Sequence, residues 1–222
     1  MIRCGVVPAD DVIAAVEKND FSGLSALLPN MAKGAEAAAD ALGKSGSSRT
    51  VDSLLDRACF ADMRAAAKAT GIREVVSLLE RKTDFTNLLT ALRTQRLRDG
   101  ELRRAVFDDS VIWGGRIGMS ELRDAADAKA VAKEDAGYTA AARAISAAGK
   151  DAEALERVSL ALDNDLRSTV DGITGMKLLG AYPVIAYIAA LEYEIKNLRV
   201  ILSGIAAGDD RSLISERLRL VP

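Results

Sequence analysis

Seven large apolar residues, Val184, Ile188, Leu191, Ile195, Leu198, Leu202 and Ile205, follow one another in alternating steps of four and three. That spacing constrains the fold more than any other feature of the chain. A strand repeats its faces every second residue, whereas a helix returns to one face after three or four. The stripe spans three heptads and predicts one unbroken helix of about 30 Å. Pro183 suits its first turn, and Gly204 and Gly208 offer stops. Glu192 and Lys196 stand in the favourable i, i+4 order. Composition agrees: 39 alanines against 4 prolines in 222 residues favour helix over strand.

The same periodicity recurs elsewhere. It predicts a helix over 72–98, with Val75, Leu78, Phe85, Leu88, Leu89 and Leu92 inward. Another is expected over 50–70, carrying Val51, Leu54, Leu55, Ala58 and Met63, with Thr50 as its N-cap. A third covers 151–170, with Leu155, Val158, Leu162 and Leu166 inward. Shorter helices are expected over 10–18, 20–28, 31–42, 120–129, 138–148 and 210–220. Breaks fall at Gly43–Ser48, at Gly114-Gly115, and at Gly172, Gly175 and Gly180. Every strong periodic signal is helical, so the expected fold class is all-α.

These pieces repeat. Asp84-Phe85-Thr86-Asn87-Leu88-Leu89 resembles Glu194-Ile195-Lys196-Asn197-Leu198-Arg199, offset by 110. Leu55-Asp56-Arg57 resembles Leu162-Asp163-Asn164, offset by 107, and Gly5-Val6-Val7-Pro8 resembles Gly115-Arg116-Ile117-Gly118. The offsets nearly agree, which points to two tandem copies of a helical unit of roughly 110 residues, at 1–112 and 113–222. Asn87 and Asn197 occupy matching places on otherwise amphipathic helices. A polar residue repeated there points to a shared internal hydrogen bond, with a neighbouring helix end as the natural partner.

The absence of histidine removes whole classes of chemistry: Ser-His-Asp and Cys-His catalysis, His-ligated zinc and Glu-x-x-His di-iron sites. Cys4 and Cys59 cannot build a disulfide framework or a Cys₄ metal site, and read as inert thiols. Thirty basic against 32 acidic residues give a net charge of −2, without the basic footprint of a nucleic-acid binder. The most apolar run, 178–191, is too short to span a bilayer. The first residues lack the apolar core of a signal peptide.

Candidate motifs for chemistry mostly fail. Gly43-Lys44-Ser45 resembles the tail of a phosphate loop, but Ala38 stands where the first glycine is needed, and a helix precedes it. It reads as a flexible linker. Gly114-Gly115-Arg116-Ile117-Gly118 lacks the dinucleotide spacing and reads as a hinge between units. The pairs Asp10-Asp11, Asp108-Asp109 and Asp209-Asp210 lie near helix boundaries, where acidic residues cap. No residue is singled out as catalytic or metal-binding, and no cofactor is expected. Arg93, Arg96, Arg98, Arg103 and Arg104 crowd one stretch. They read either as dipole complementation on a solvated face or as a docking patch for an acidic partner.

The stretch Tyr182-Pro183-Val184-Ile185-Ala186-Tyr187-Ile188, then Glu192-Tyr193-Glu194-Ile195-Lys196-Asn197-Leu198-Arg199, Gly204 and Glu216-Arg217-Leu218, resembles the C-type subunits of V-type/A-type ATPases, the family to which the eukaryotic V-ATPase d subunit belongs. Leu54-Leu55-Asp56-Arg57-Ala58-Cys59-Phe60 and 84–93 resemble its middle unit. The resemblance implies three similar all-helical units forming a funnel, of which the first has no counterpart at this N-terminus, as in a fragment, an engineered chain or a shortened member. It implies a non-catalytic central-stalk subunit that couples the shaft of the catalytic head to the membrane rotor ring during ion transport or ATP synthesis. Such a protein is cytoplasmic and peripheral to the membrane through its complex. The ending Leu220-Val221-Pro222 departs from the family's aromatic-plus-valine tail. The competing reading is a free-standing helical adaptor or regulatory interaction protein.

Overall fold

A computed structural model describes residues 7–24, 29–123, 152–175 and 179–219. Cys4, the helix expected over 138–148 and most of that over 120–129 lie outside the described residues. Among the described residues the secondary structure is helical, without strands, in line with the all-α expectation. The chain divides into two compact units, Met1–Thr90 with Leu97–Gly115, and Ala91–Arg96 with Arg116–Pro222.

The first unit holds α1 (Ala9–Lys18), a 3₁₀ turn (Ser22–Leu24), α2 (Pro29–Ser45), α3 (Ser48–Ala69), most of α4 (Arg73–Thr94) and α5 (Gly100–Ser110). Only the 3₁₀ turn stands where a helix over 20–28 was expected and residues are described. Small side chains set the packing of α2 on α3. A methyl group added at Gly34 would lie 2.4 Å from the Cβ of Ala58, so glycine is what lets the two helices touch. Ala15, Phe21 and Ala32 form a small core beside this contact. The Gly43-Lys44-Ser45 motif is no linker, because it completes the last turn of α2, where the Ser45 hydroxyl donates to Ala41 O at 2.8 Å. Ser47, not Thr50, caps α3. Its Oγ accepts from the Thr50 amide, and Thr50 Oγ1 bonds to it as well. The helix begins earlier than expected because Gly46, at φ +64°, completes the turn in two residues.

Asp62 of α3 performs a longer-range capping task. The amides of Asn30 and Met31 and the Asn30 side chain all donate to its carboxylate, at 3.1, 2.8 and 2.8 Å. They satisfy amides that the first turn of α2 leaves without partners. Burial alone would raise the pKa of Asp62, but these hydrogen bonds outweigh it and hold the carboxyl below its ordinary value. Helix α4 stops at Thr94, short of the expected 98, because Asp99 opens a new helix by accepting from the amides of Glu101 and Leu102.

The second unit holds α6 (Met119–Arg123), α7 (Ala152–Gly175), α8 (Tyr182–Ala207) and α9 (Arg211–Glu216). Helix α7 passes through Gly172 to Gly175, beyond its expected end. It packs on α8, burying Val158, Leu162 and Val170. Helix α8 likewise passes through Gly204 and ends at Gly208, whose φ of +76° closes the C-terminus. Gly204 is a packing site rather than a stop: an added methyl would sit 2.6 Å from Ile214 of α9. The side of α8 that meets its neighbours carries Tyr193, Asn197 and Gly204. The heptad stripe faces the other way, and all seven of its residues are 42–65% exposed.

Candidate functional site

One arrangement occurs in both units. In the first, Asn87 of α4 is buried, and its Nδ2 donates to Ile112 O at 2.8 Å while the Ile112 amide donates to its Oδ1 at 2.9 Å. In the second, Asn197 Nδ2 donates to Arg219 O at 3.2 Å, and the Arg219 amide donates to Asn197 Oδ1 at 2.8 Å. In each case an asparagine on a long helix grips both backbone groups of one residue, just past a shorter helix. Side-chain amides suit this task because they donate and accept at once.

Each grip has reinforcements. In the first unit, Arg57 of α3 donates from Nε to Val111 O at 3.0 Å and from Nη2 to Asp108 O. Arg64 donates to Trp113 O. The segment 108–113 is thus held from two helices. Gly114 and Gly115 follow, the first at φ +100°. A methyl group on Gly115 would lie 2.0 Å from Oδ1 of the fully buried Asp84. Glycine is needed here for close approach and unusual backbone geometry.

In the second unit the reinforcement is Asp163 of α7. Its carboxylate accepts from Lys196 Nζ at 2.7 Å and from Arg219 Nε at 3.0 Å. Its backbone oxygen accepts from the Tyr193 hydroxyl at 2.6 Å. Burial, then the Asp163 charge, pushes the Tyr193 phenol well above its ordinary value. The ring of Tyr193 lies 5.6 Å from the Arg167 guanidinium, which pairs with Asp171 at 3.0 Å. Arg217 ties Asp209, at 2.9 Å, to Glu156, at 3.2 Å.

These polar groups converge on backbone and on one another, the pattern of a fastening. Among the described residues, no group of three His, Cys, Asp or Glu side chains could hold a metal ion.

The five arginines divide between the units. Arg93 and Arg96 go with the second, and Arg98, Arg103 and Arg104 with the first. Arg93, Arg96, Arg98 and Arg104 are exposed. Arg103 is half-buried: its Nη2 donates to Leu97 O at 2.9 Å, and its Nε is buried without a hydrogen-bond partner. Sequence reasoning overlooked Asp62 and marked Arg57 only within a repeat and a family-like stretch; their partners lie 31–54 residues away. It marked Asp163 only as a repeat signature.

The family of the ATP synthase (C/AC39) subunit matches residues 1–217, a span that includes both asparagine grips except the final anchor at Arg219. The chain belongs to this family. It is a C/AC39 subunit of the V/A-type rotary ATPases, as the sequence resemblance implied. No curated protein and no solved structure matches the chain. No described helix of this C/AC39 chain is long and apolar enough to cross a membrane. The longest of the described helices, α8, is interrupted by Glu192, Glu194, Lys196 and Arg199.

Proposed function

We propose that this C/AC39 protein is a non-catalytic part of the central stalk, carrying torque between the shaft of the catalytic head and the membrane rotor ring. The observation that supports this most is the doubled asparagine grip. Torque transfer requires that helices not slide or fray under load. Each unit fastens the segment beyond its short helix to the long helix with two hydrogen bonds to main chain. In this reading the units 1–112 and 113–222 are two copies of one device, and the protein reaches the membrane only through the complex.

The exposed Arg93, Arg96, Arg98 and Arg104 serve as contacts to acidic surfaces on the ring or shaft, where guanidinium groups form bidentate pairs. Arg103 supports the backbone at Leu97 instead. The test is co-purification of the tagged chain with purified shaft and ring subunits. Wild type should retain one or both, and the triple variant Arg93→Glu, Arg98→Glu, Arg104→Glu should retain several-fold less while keeping its helical circular dichroism. Unchanged retention would remove the arginine assignment. Failure of wild type to bind either partner would favour the adaptor reading.

A further inference from the structure

Helix α8 turns its most regular apolar feature outward. Val184, Ile188, Leu191, Ile195, Leu198, Leu202 and Ile205 are all 42–65% exposed, while Tyr193, Asn197 and Gly204 hold the opposite side against the unit. Isolated exposed leucines are ordinary, but a contiguous apolar stripe along a 26-residue helix is a binding surface. Its period of 3.5 residues is that of a two-helix seam, not of a helix lying on a sheet or in a broad groove.

We propose that this seam pairs with α8 of a second copy of the same chain, in a parallel two-stranded coiled coil. Three features of the helix single out this occupant. First, Ile188, Leu191, Ile195 and Leu198 place β-branched residues at the a positions and leucine at the d positions of the two central heptads, the choice that favours parallel pairs. Second, the flanking charges are self-complementary. Glu194 stands at a g position and the exposed Arg199 at the e position five residues on, so in a parallel pair each Glu194 faces the Arg199 of the other helix. The two-fold axis makes this contact twice. Third, the seam exposes on the order of 700 Å² per copy, so two copies would cover on the order of 1,400 Å², within the roughly 1,200–2,000 Å² of stable interfaces. Tyr187, 68% exposed at the preceding g position, extends the covered area.

The proposal concerns the free protein and goes beyond the stalk reading: the seam lies on α8, whereas the contacts assigned to ring and shaft are the arginines. A pair held this way would keep an exposed apolar stripe out of water before assembly.

The test is sedimentation velocity and light scattering of the full chain from low to high micromolar concentration. The expected result is a concentration-dependent species of twice 23.5 kDa. Ile195→Lys with Leu198→Lys should abolish it. Both residues are already exposed in the single chain, so the variant should keep its circular dichroism and melting behaviour. Glu194→Arg should weaken pairing by about tenfold or more, and adding Arg199→Glu should restore it. Direction is read separately. Leu191→Cys should form a disulfide-linked dimer under mild oxidation well above the wild-type level, because parallel pairing sets position 191 against itself. In an antiparallel pair it would face position 202, about 16 Å from its counterpart. A monomer across the range, or a dimer indifferent to the double lysine variant, would overturn the proposal. A dimer without the Leu191→Cys cross-link would overturn the parallel register.

Discussion

At the residue scale, Asn87 and Asn197 separate what a side chain contributes by size from what it contributes by chemistry. Alanine at either site removes a donor and an acceptor together and leaves an amide and a carbonyl of residue 112 or 219 without their partner. Leaving a buried polar group unsatisfied costs about 1–3 kcal/mol. Asn87 is the more deeply buried and its donated bond is the shorter, 2.8 against 3.2 Å, so Asn87→Ala should destabilise the chain more than Asn197→Ala, by about 2–4 against about 1–3 kcal/mol. Urea unfolding midpoints read the difference. Asn87→Asp is the sharper variant: it still accepts from the Ile112 amide but turns a negative oxygen toward the Ile112 carbonyl. It should be no better than alanine at neutral pH, and equal stability to wild type would refute the two-bond account. The importance of these two asparagines was legible in the sequence, since a polar residue repeated at one place in an apolar helix has few explanations. Their partners were not legible. Ile112 and Arg219 contribute main-chain atoms, and every residue but proline supplies those.

At the scale of elements, the helices were legible because their periodicity is strong, and their ends were not. Thr50 has the chemistry of an N-cap, yet Ser47 holds the position, and Gly204 has the chemistry of a stop, yet Ile214 packs where its side chain would be. In both cases a tertiary contact or an adjacent turn decided between two sequence signals of similar strength. The outward stripe of α8 makes the same point about faces: a period of 3.5 says that one face is apolar, not which neighbour it meets. The α2–α3 pair yields a pH prediction. Asp62 has a lowered pKa in the folded state, so its contribution is complete above the unfolded carboxyl value of about 4 and is lost as the pH falls through the folded value. Asp62→Ala should therefore cost about 1–2 kcal/mol at pH 7. That cost should shrink below about pH 4, because the wild type loses the same bonds there. Thermal unfolding of both proteins at pH 7 and pH 3 measures it, and a cost that stays constant between them would contradict the assignment.

At the scale of the whole molecule, the family match covers 1–217, and the stretches that carry the resemblance in the sequence, at 54–60, 84–93, 182–199 and 204–218, lie in both halves of the chain. The arginine surface belongs to this scale, because its partners are other proteins. Exposed charges more than about 10 Å apart are screened at 0.1 M salt. If Arg93, Arg96, Arg98 and Arg104 carry stalk binding, its affinity should fall steeply between low and physiological salt, and the triple glutamate variant should lose most of that dependence. Equal salt slopes for the two proteins in a binding titration would rule out an electrostatic contact. What the sequence could not supply at this scale was the sorting of the five arginines. Arg103 turns inward to Leu97, and nothing in its spacing distinguishes it from Arg104.

The two asparagine grips hold main-chain atoms, and that has a consequence for how such a chain can change. A fastening between two side chains ties the identities of both residues together. Here the grip itself specifies only the asparagine: the held position is isoleucine in one unit and arginine in the other, and the Arg219 side chain is tied separately to Asp163. Two halves built on this plan can diverge in nearly every surface character, one presenting an apolar seam and the other a different face, while the mechanics inside them stay the same.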